Sequence, residues 1–72
     1  MQEEIEERII AQIPNAQVKV ALDGNKALIE VTSDHFVGMG RVQRQQSIYG
    51  CIQDYIADGR LHAVTIKVDI PA

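Results

Sequence analysis

Few side chains in this 72-residue chain are of kinds that do chemistry, and their spacing limits what that chemistry can be. There are two histidines, His35 and His62, and a single cysteine, Cys51. A structural zinc site wants four nitrogen or sulfur donors, so these three fall short of one. One cysteine also rules out a disulfide within the chain. Nucleophilic catalysis needs a serine or cysteine beside a histidine that a third group orients, and no such arrangement is brought together by the sequence pattern. Glu3, Glu4, Glu6 and Glu7 crowd one short stretch. A solvated helix face explains a charge run of this kind better than an acid–base pair does. Gly38-Met39-Gly40-Arg41, with Arg44 close behind, could offer N–H groups and positive charge to an anion at a helix start. Its spacing is not that of a phosphate-binding loop, and a tight corner between helices accounts for the glycines. His35 reads as a surface residue, and Cys51 as a small, partly buried thiol just off an apolar stripe. His62 shares its parity with Val64 and Ile66 but stands at a strand end, where that face need not be covered. No enzyme is expected.

The elements that must position these residues follow from periodicity. Ile5, Ile9, Ile10 and Ile13 fall on one helical face over residues 3–13. The early glutamates suit the positive end of that helix, and Pro14-Asn15 ends it. Val18, Val20 and Leu22 alternate with Gln17, Lys19 and Ala21, and Ala27, Ile29 and Val31 with Lys26, Leu28, Glu30 and Thr32, on either side of Asp23-Gly24-Asn25. Asp-Gly between two such runs predicts a β-hairpin. Ser33 or Asp34 can cap a short helical turn over 34–37. A long helix follows from about Arg41 to Ala57, with an apolar stripe of Val42, Tyr49, Ile52 and Ile56 widened by Ile48 and Tyr55. Asp58-Gly59 closes it. Leu61 to Ile70 alternates again, with Val64, Ile66, Val68 and Ile70 on one side, until Pro71 stops the strand.

The order is α-β-β-α-α-β, with the second helix short. A right-handed crossover through the long helix sets the third strand parallel to the second. The expectation is a two-layer α+β domain with a three-stranded mixed sheet. Its inner face is Val18, Val20, Ile29, Val31, Val64, Ile66 and Val68, under Ile5, Ile9, Ile48, Ile52 and Ile56.

Size and charge narrow the function further. Seventy-two residues make a single domain, spanning 1–72, with no room for a second core. A chain this small removes only about 60% of its unfolded surface from water. Net charge is −3 and the isoelectric point is near 5.1. Proteins held by nucleic-acid phosphates usually carry a basic footprint, so general affinity for DNA or RNA is expected to be weak. No apolar run approaches the length of a membrane span, and Met1-Gln2-Glu3-Glu4 is the reverse of a signal peptide's basic start. A cytoplasmic protein with no membrane partner is expected.

Three stretches resemble the BolA family: Phe36-Val37-Gly38-Met39-Gly40-Arg41-Val42, Gln45-Gln46-Ser47-Ile48-Tyr49-Gly50, and Tyr55 through Lys67 with its Arg60-Leu61-His62-Ala63 core. The match is collinear over about residues 3–71, and the Gln-Gln and Tyr-Gly features are similar to the family's bacterial IbaG (YrbA) branch. The resemblance implies a fold related to class II KH domains, in agreement with the element order. The spacing Gly38-x-Gly40 nevertheless differs from the Gly-x-x-Gly loop with which KH domains clamp a nucleic-acid backbone.

The resemblance further implies a non-catalytic partner of monothiol, CGFS-type glutaredoxins, sharing a [2Fe-2S] cluster with glutaredoxin and glutathione or associating without one, in iron or stress regulation. The family's ligand histidine falls on His62. Imidazole in place of thiolate is known at such clusters. A second family ligand, histidine or cysteine, usually lies in the loop between the first two strands. Here that loop is Leu22-Asp23-Gly24-Asn25-Lys26, where Asp23 is a weak oxygen donor at best. Gly40 replaces a frequent serine, and the chain ends at Pro71-Ala72 where relatives often continue into a helical tail. The rival expectation is a nucleic-acid-binding transcription regulator. It would use Asp34–Ala57 as a helix-turn-helix-like element and present Arg41, Gln43, Arg44, Gln45 and Gln46, since arginine and glutamine can read base edges.

Overall fold

The structure, a computed structural model, describes residues 1–71. Its elements are α1 (Gln2–Gln12), β1 (Gln17–Asp23), β2 (Lys26–Thr32), a three-residue 3-10 turn (Asp34–Phe36), α2 (Arg41–Ala57) and β3 (Ala63–Asp69). The sheet order is β1-β2-β3, antiparallel between β1 and β2 and parallel between β2 and β3. Both helices lie against the sheet, α1 over β1 and α2 against β3, and pack on each other. The two-layer α+β arrangement with a mixed sheet is the one expected from the sequence. The short second helix is a single 3-10 turn.

Local chemistry sets the boundaries. Gly24, at φ 61°, takes the first of the two central hairpin positions, where a residue with a Cβ would be strained. Ser33, fully buried, ties three segments together. Its hydroxyl donates to the Pro14 carbonyl and accepts from His35 N–H, while its own N–H reaches the Asp69 carbonyl at 3.1 Å. Gly40 has no hydroxyl to cap α2; instead the Gln43 side chain turns back and accepts its N–H at 3.1 Å.

The core is built from Val20, Ala27, Ile29, Val31 and Ile66 on the sheet, with Ile5, Ile9, Ile13, Ile48, Cys51, Ile52 and Tyr55 from the helices. Phe36 and Leu61 complete it. Val18, Leu22, Val64 and Val68 line the same sheet face but are half-buried near its ends and edges. Three expectations need correction. Ile10 is 55% exposed and does not share the buried face of α1. Val42 is 67% exposed, and Tyr49 and Ile56 also face solvent, so the buried stripe of α2 is Ile48, Cys51, Ile52 and Tyr55. The two stripes lie roughly 110° apart around the helix, and the sheet lies under only one of them. Cys51 is therefore in the buried stripe, not beside it.

Candidate functional site

His62 is exposed at the start of β3, at the hairpin end of the sheet. Its backbone N–H donates to the Asn25 carbonyl at 2.8 Å, and Ala63 N–H reaches the same oxygen at 3.4 Å. The β1–β2 turn and His62 are thus held side by side by main chain, although nothing in the local sequence of either announces the other. The imidazole lies over Gly59, with Nε2 3.7 Å from where a Cβ on that residue would stand. Gly59 takes φ 84° to end α2, so any other residue there would be strained next to the histidine.

The segment that carries His62 is anchored on its other side by Tyr55. The Tyr55 ring is fully buried between two guanidinium groups, Arg8 at 4.5 Å and Arg60 at 4.0 Å from its centroid. Arg60 also meets the Asp58 carboxylate at 2.7 Å, and its N–H donates to the same carboxylate. Leu61 is buried, and its N–H reaches the Tyr55 carbonyl at 3.1 Å. Arg8 bridges from α1 to Asp54 on α2 and to Glu4 one turn away. The hydrogen bond from Arg8 holds the Asp54 carboxyl below its ordinary range. The Tyr55 hydroxyl, near Glu4 but outside strict hydrogen-bond geometry, and then Arg8, do the same for Glu4. In the sequence Tyr55 is only part of an apolar stripe, and the i, i+4 spacing of Glu4 and Arg8 is the local signal for this cluster.

The other sequence candidates are not brought to His62. Asp23 pairs with Lys26, which pairs with Ala63. That puts two strand spacings, about 10 Å, between the backbones of Asp23 and Ala63. Among the described residues, no group of three or more His, Cys, Asp or Glu side chains could hold a metal ion. Cys51 faces the α1–α2 groove, where burial pushes its thiol up. His35 is exposed near the Cys51 groove. Arg41, Gln43, Arg44 and Gln45 sit together at the start of α2, but three of them are engaged within the molecule. Gln43 accepts from Gly40 N–H, Arg44 Nε donates to the Met39 carbonyl at 3.0 Å, and Gln45 Nε2 donates to the Ile66 carbonyl at 3.2 Å. The three-residue turn before them is too short to serve as the first helix of a helix-turn-helix.

The chain thus forms a two-layer α-β-β-α-β domain with one exposed imidazole beside its hairpin. Residues 16–72 match the BolA-like protein family, and the chain belongs to it. It is 39% identical over 69 residues to the acid stress protein IbaG of Escherichia coli strain K12, covering 96% of this chain and 82% of that one. The fold superposes on BolA1 from Arabidopsis thaliana with a TM-score of 0.84 at 21% identity, over 97% of this chain and 90% of that one. The BolA domain of SufE1 from the same plant gives 0.85 at 24% identity, over 97% and 91%. Among the described residues, no helix is long and apolar enough to cross a membrane.

Proposed function

We propose that this protein is a non-catalytic, cytoplasmic partner of a monothiol glutaredoxin, and that His62 contributes one nitrogen ligand to a [2Fe-2S] cluster carried between the two. The observation that supports the reading is the exposure of His62 on a segment fixed by Leu61, by the Arg60–Tyr55 stack and by the Asn25 carbonyl. A ligand that must meet a cluster on another protein has to be both exposed and rigidly held. The donor set fits a shared site and not a private one, because this chain offers one imidazole there and the remaining ligands must come from the partner's thiolates. The cluster would supply electron-transfer or donation chemistry; the chain's own part is to present the imidazole and hold its neighbours away from it.

The test mixes the protein with a CGFS glutaredoxin and glutathione, reconstitutes iron and sulfide, and follows visible circular dichroism. The mixed complex is expected to show a spectrum distinct from that of the glutaredoxin homodimer, and His62→Ala to abolish the difference while leaving the far-ultraviolet spectrum unchanged. Asn25→His, which places a second nitrogen on the hairpin beside His62, is expected to strengthen the complex. An unchanged visible spectrum for His62→Ala would remove the cluster role. Nucleic-acid binding ranks second, since its recognition side chains are largely spent on internal hydrogen bonds.

A further inference from the structure

The edge of β3 that faces away from β2 is open. Ala63 N–H reaches Asn25, and the Asp69 carbonyl accepts from Ser33, so the odd-numbered residues of β3 turn their backbone groups toward β2. Val64, Ile66 and Val68 therefore turn theirs outward. Among the described residues no strand pairs on that side. One outward group, the Ile66 carbonyl, is met by a side-chain amide, Gln45 Nε2. An amide donor is thus already seated on this edge, in the manner of a strand's N–H.

A groove runs between this edge and the start of α2, lined by Arg41, Arg44, Gln45 and residues 66–69 of β3. It concentrates positive charge in a chain whose net charge is −3: Arg41, Arg44 and Lys67 stand against the single carboxylate of Asp69. The salt bridges among the described residues all involve Arg8 or Arg60, so these three cations are without an ion-pair partner. The groove contains no aromatic ring on which a nucleobase could stack. What it offers is a strand's alternating donors and acceptors beside unneutralised cations.

We propose that the β3 edge binds an extended, acidic peptide segment of a partner protein, added as a fourth strand. Its backbone meets Val64, Val68 and the Ile66 N–H and takes the place of the Gln45 amide at the Ile66 carbonyl, and its carboxylates meet Arg41 and Arg44 on the helix side and Lys67 on the other. This site is separate from His62 and does not depend on a cluster.

The probe is a fluorescein-labelled peptide alternating glutamate with valine or threonine, titrated by anisotropy at low salt against the full chain. Saturable binding is expected, with slower amide exchange at Val64, Ile66 and Val68 in the complex. Arg41→Glu combined with Lys67→Glu, both exposed positions, is expected to weaken binding about tenfold or more, as two reversed charge contacts should. A peptide with lysine in place of glutamate is expected not to bind. Binding that leaves edge-amide exchange unchanged, or that survives the double reversal, would overturn the proposal. So would an oligothymidine strand that binds the groove more tightly than the peptide does.

Discussion

Helix α2 shows two different treatments of an apolar side. On one side Ile48, Cys51, Ile52 and Tyr55 are buried against the sheet and α1, and Tyr55 is closed in further by Arg8 and Arg60. On the other, Val42, Tyr49 and Ile56 recur at seven-residue intervals and stay exposed. The chemistry of the two sets is similar, so hydrophobicity alone does not separate them. What separates them is the direction of the sheet. The parallel crossover lays α2 along β3, and Gln45 fastens it there through the Ile66 carbonyl. Only the side turned toward the sheet and α1 is covered. Val42, Tyr49 and Ile56 have no such cover among the described residues.

The largest test of this contrast is a pair of truncations on one helix. Ile52 is fully buried, and Ile52→Ala is expected to cost about 2–5 kcal/mol, most of the stability a domain this small has. Val42→Ala, on the exposed stripe, is expected to change stability by no more than about 0.5 kcal/mol. Urea denaturation of both variants checks the assignment. Equal losses would mean that the helix is rotated from the position described.

A smaller effect is expected from the ionic side of the Tyr55 cluster. Asp54 is held below its ordinary value of 3.8, first by the hydrogen bond from Arg8, and Glu4 below 4.5, first by the Tyr55 hydroxyl. A carboxyl whose folded value is depressed stabilises the fold fully above its unfolded value and loses that contribution as pH falls through the folded one. Thermal stability is therefore expected to be level from neutrality down to about pH 5 and to fall below about pH 4. Asp54→Asn should lower the plateau slightly and flatten the acid limb. Both carboxylates are solvent-facing, so added salt should shrink the difference between variant and parent. An acid limb with the parent's slope in Asp54→Asn would assign the pH dependence to other groups.

Much of this fold was legible because each element carries its own local signal. Asp23-Gly24 marks the hairpin, Val64, Ile66 and Val68 mark β3, and the handedness rule makes β3 parallel to β2. The buried stripe of α2 is not legible in the same way, because the helix's apolar residues cover about half its circumference. Periodicity then finds a helix but not the side that faces the sheet. At the candidate site, His62 was legible only through a family resemblance, and its setting was not legible at all. Arg8 and Asp54 are 46 residues apart, and the Asn25 carbonyl that receives His62 N–H belongs to a turn whose composition speaks only of turning. Contacts between distant segments leave no trace in local spacing.

The smallest expected effect concerns a single oxygen. The Tyr55 hydroxyl is buried and makes no hydrogen bond among the described residues, and its ring is fully buried. A buried hydroxyl without a partner costs about 1–3 kcal/mol of desolvation, whereas an apolar group of the same shape costs none of it. Tyr55→Phe keeps the ring between Arg8 and Arg60 and removes only that oxygen. Stability is expected to stay within about 0.5 kcal/mol of the parent or to rise. A loss above about 1 kcal/mol would mean that the hydroxyl is hydrogen-bonded in solution, to a bound water or to Glu4 itself. The cluster would then be a closed polar network, and the Arg60 stack that steadies His62 would owe its rigidity to that network and not to cation–π contact alone.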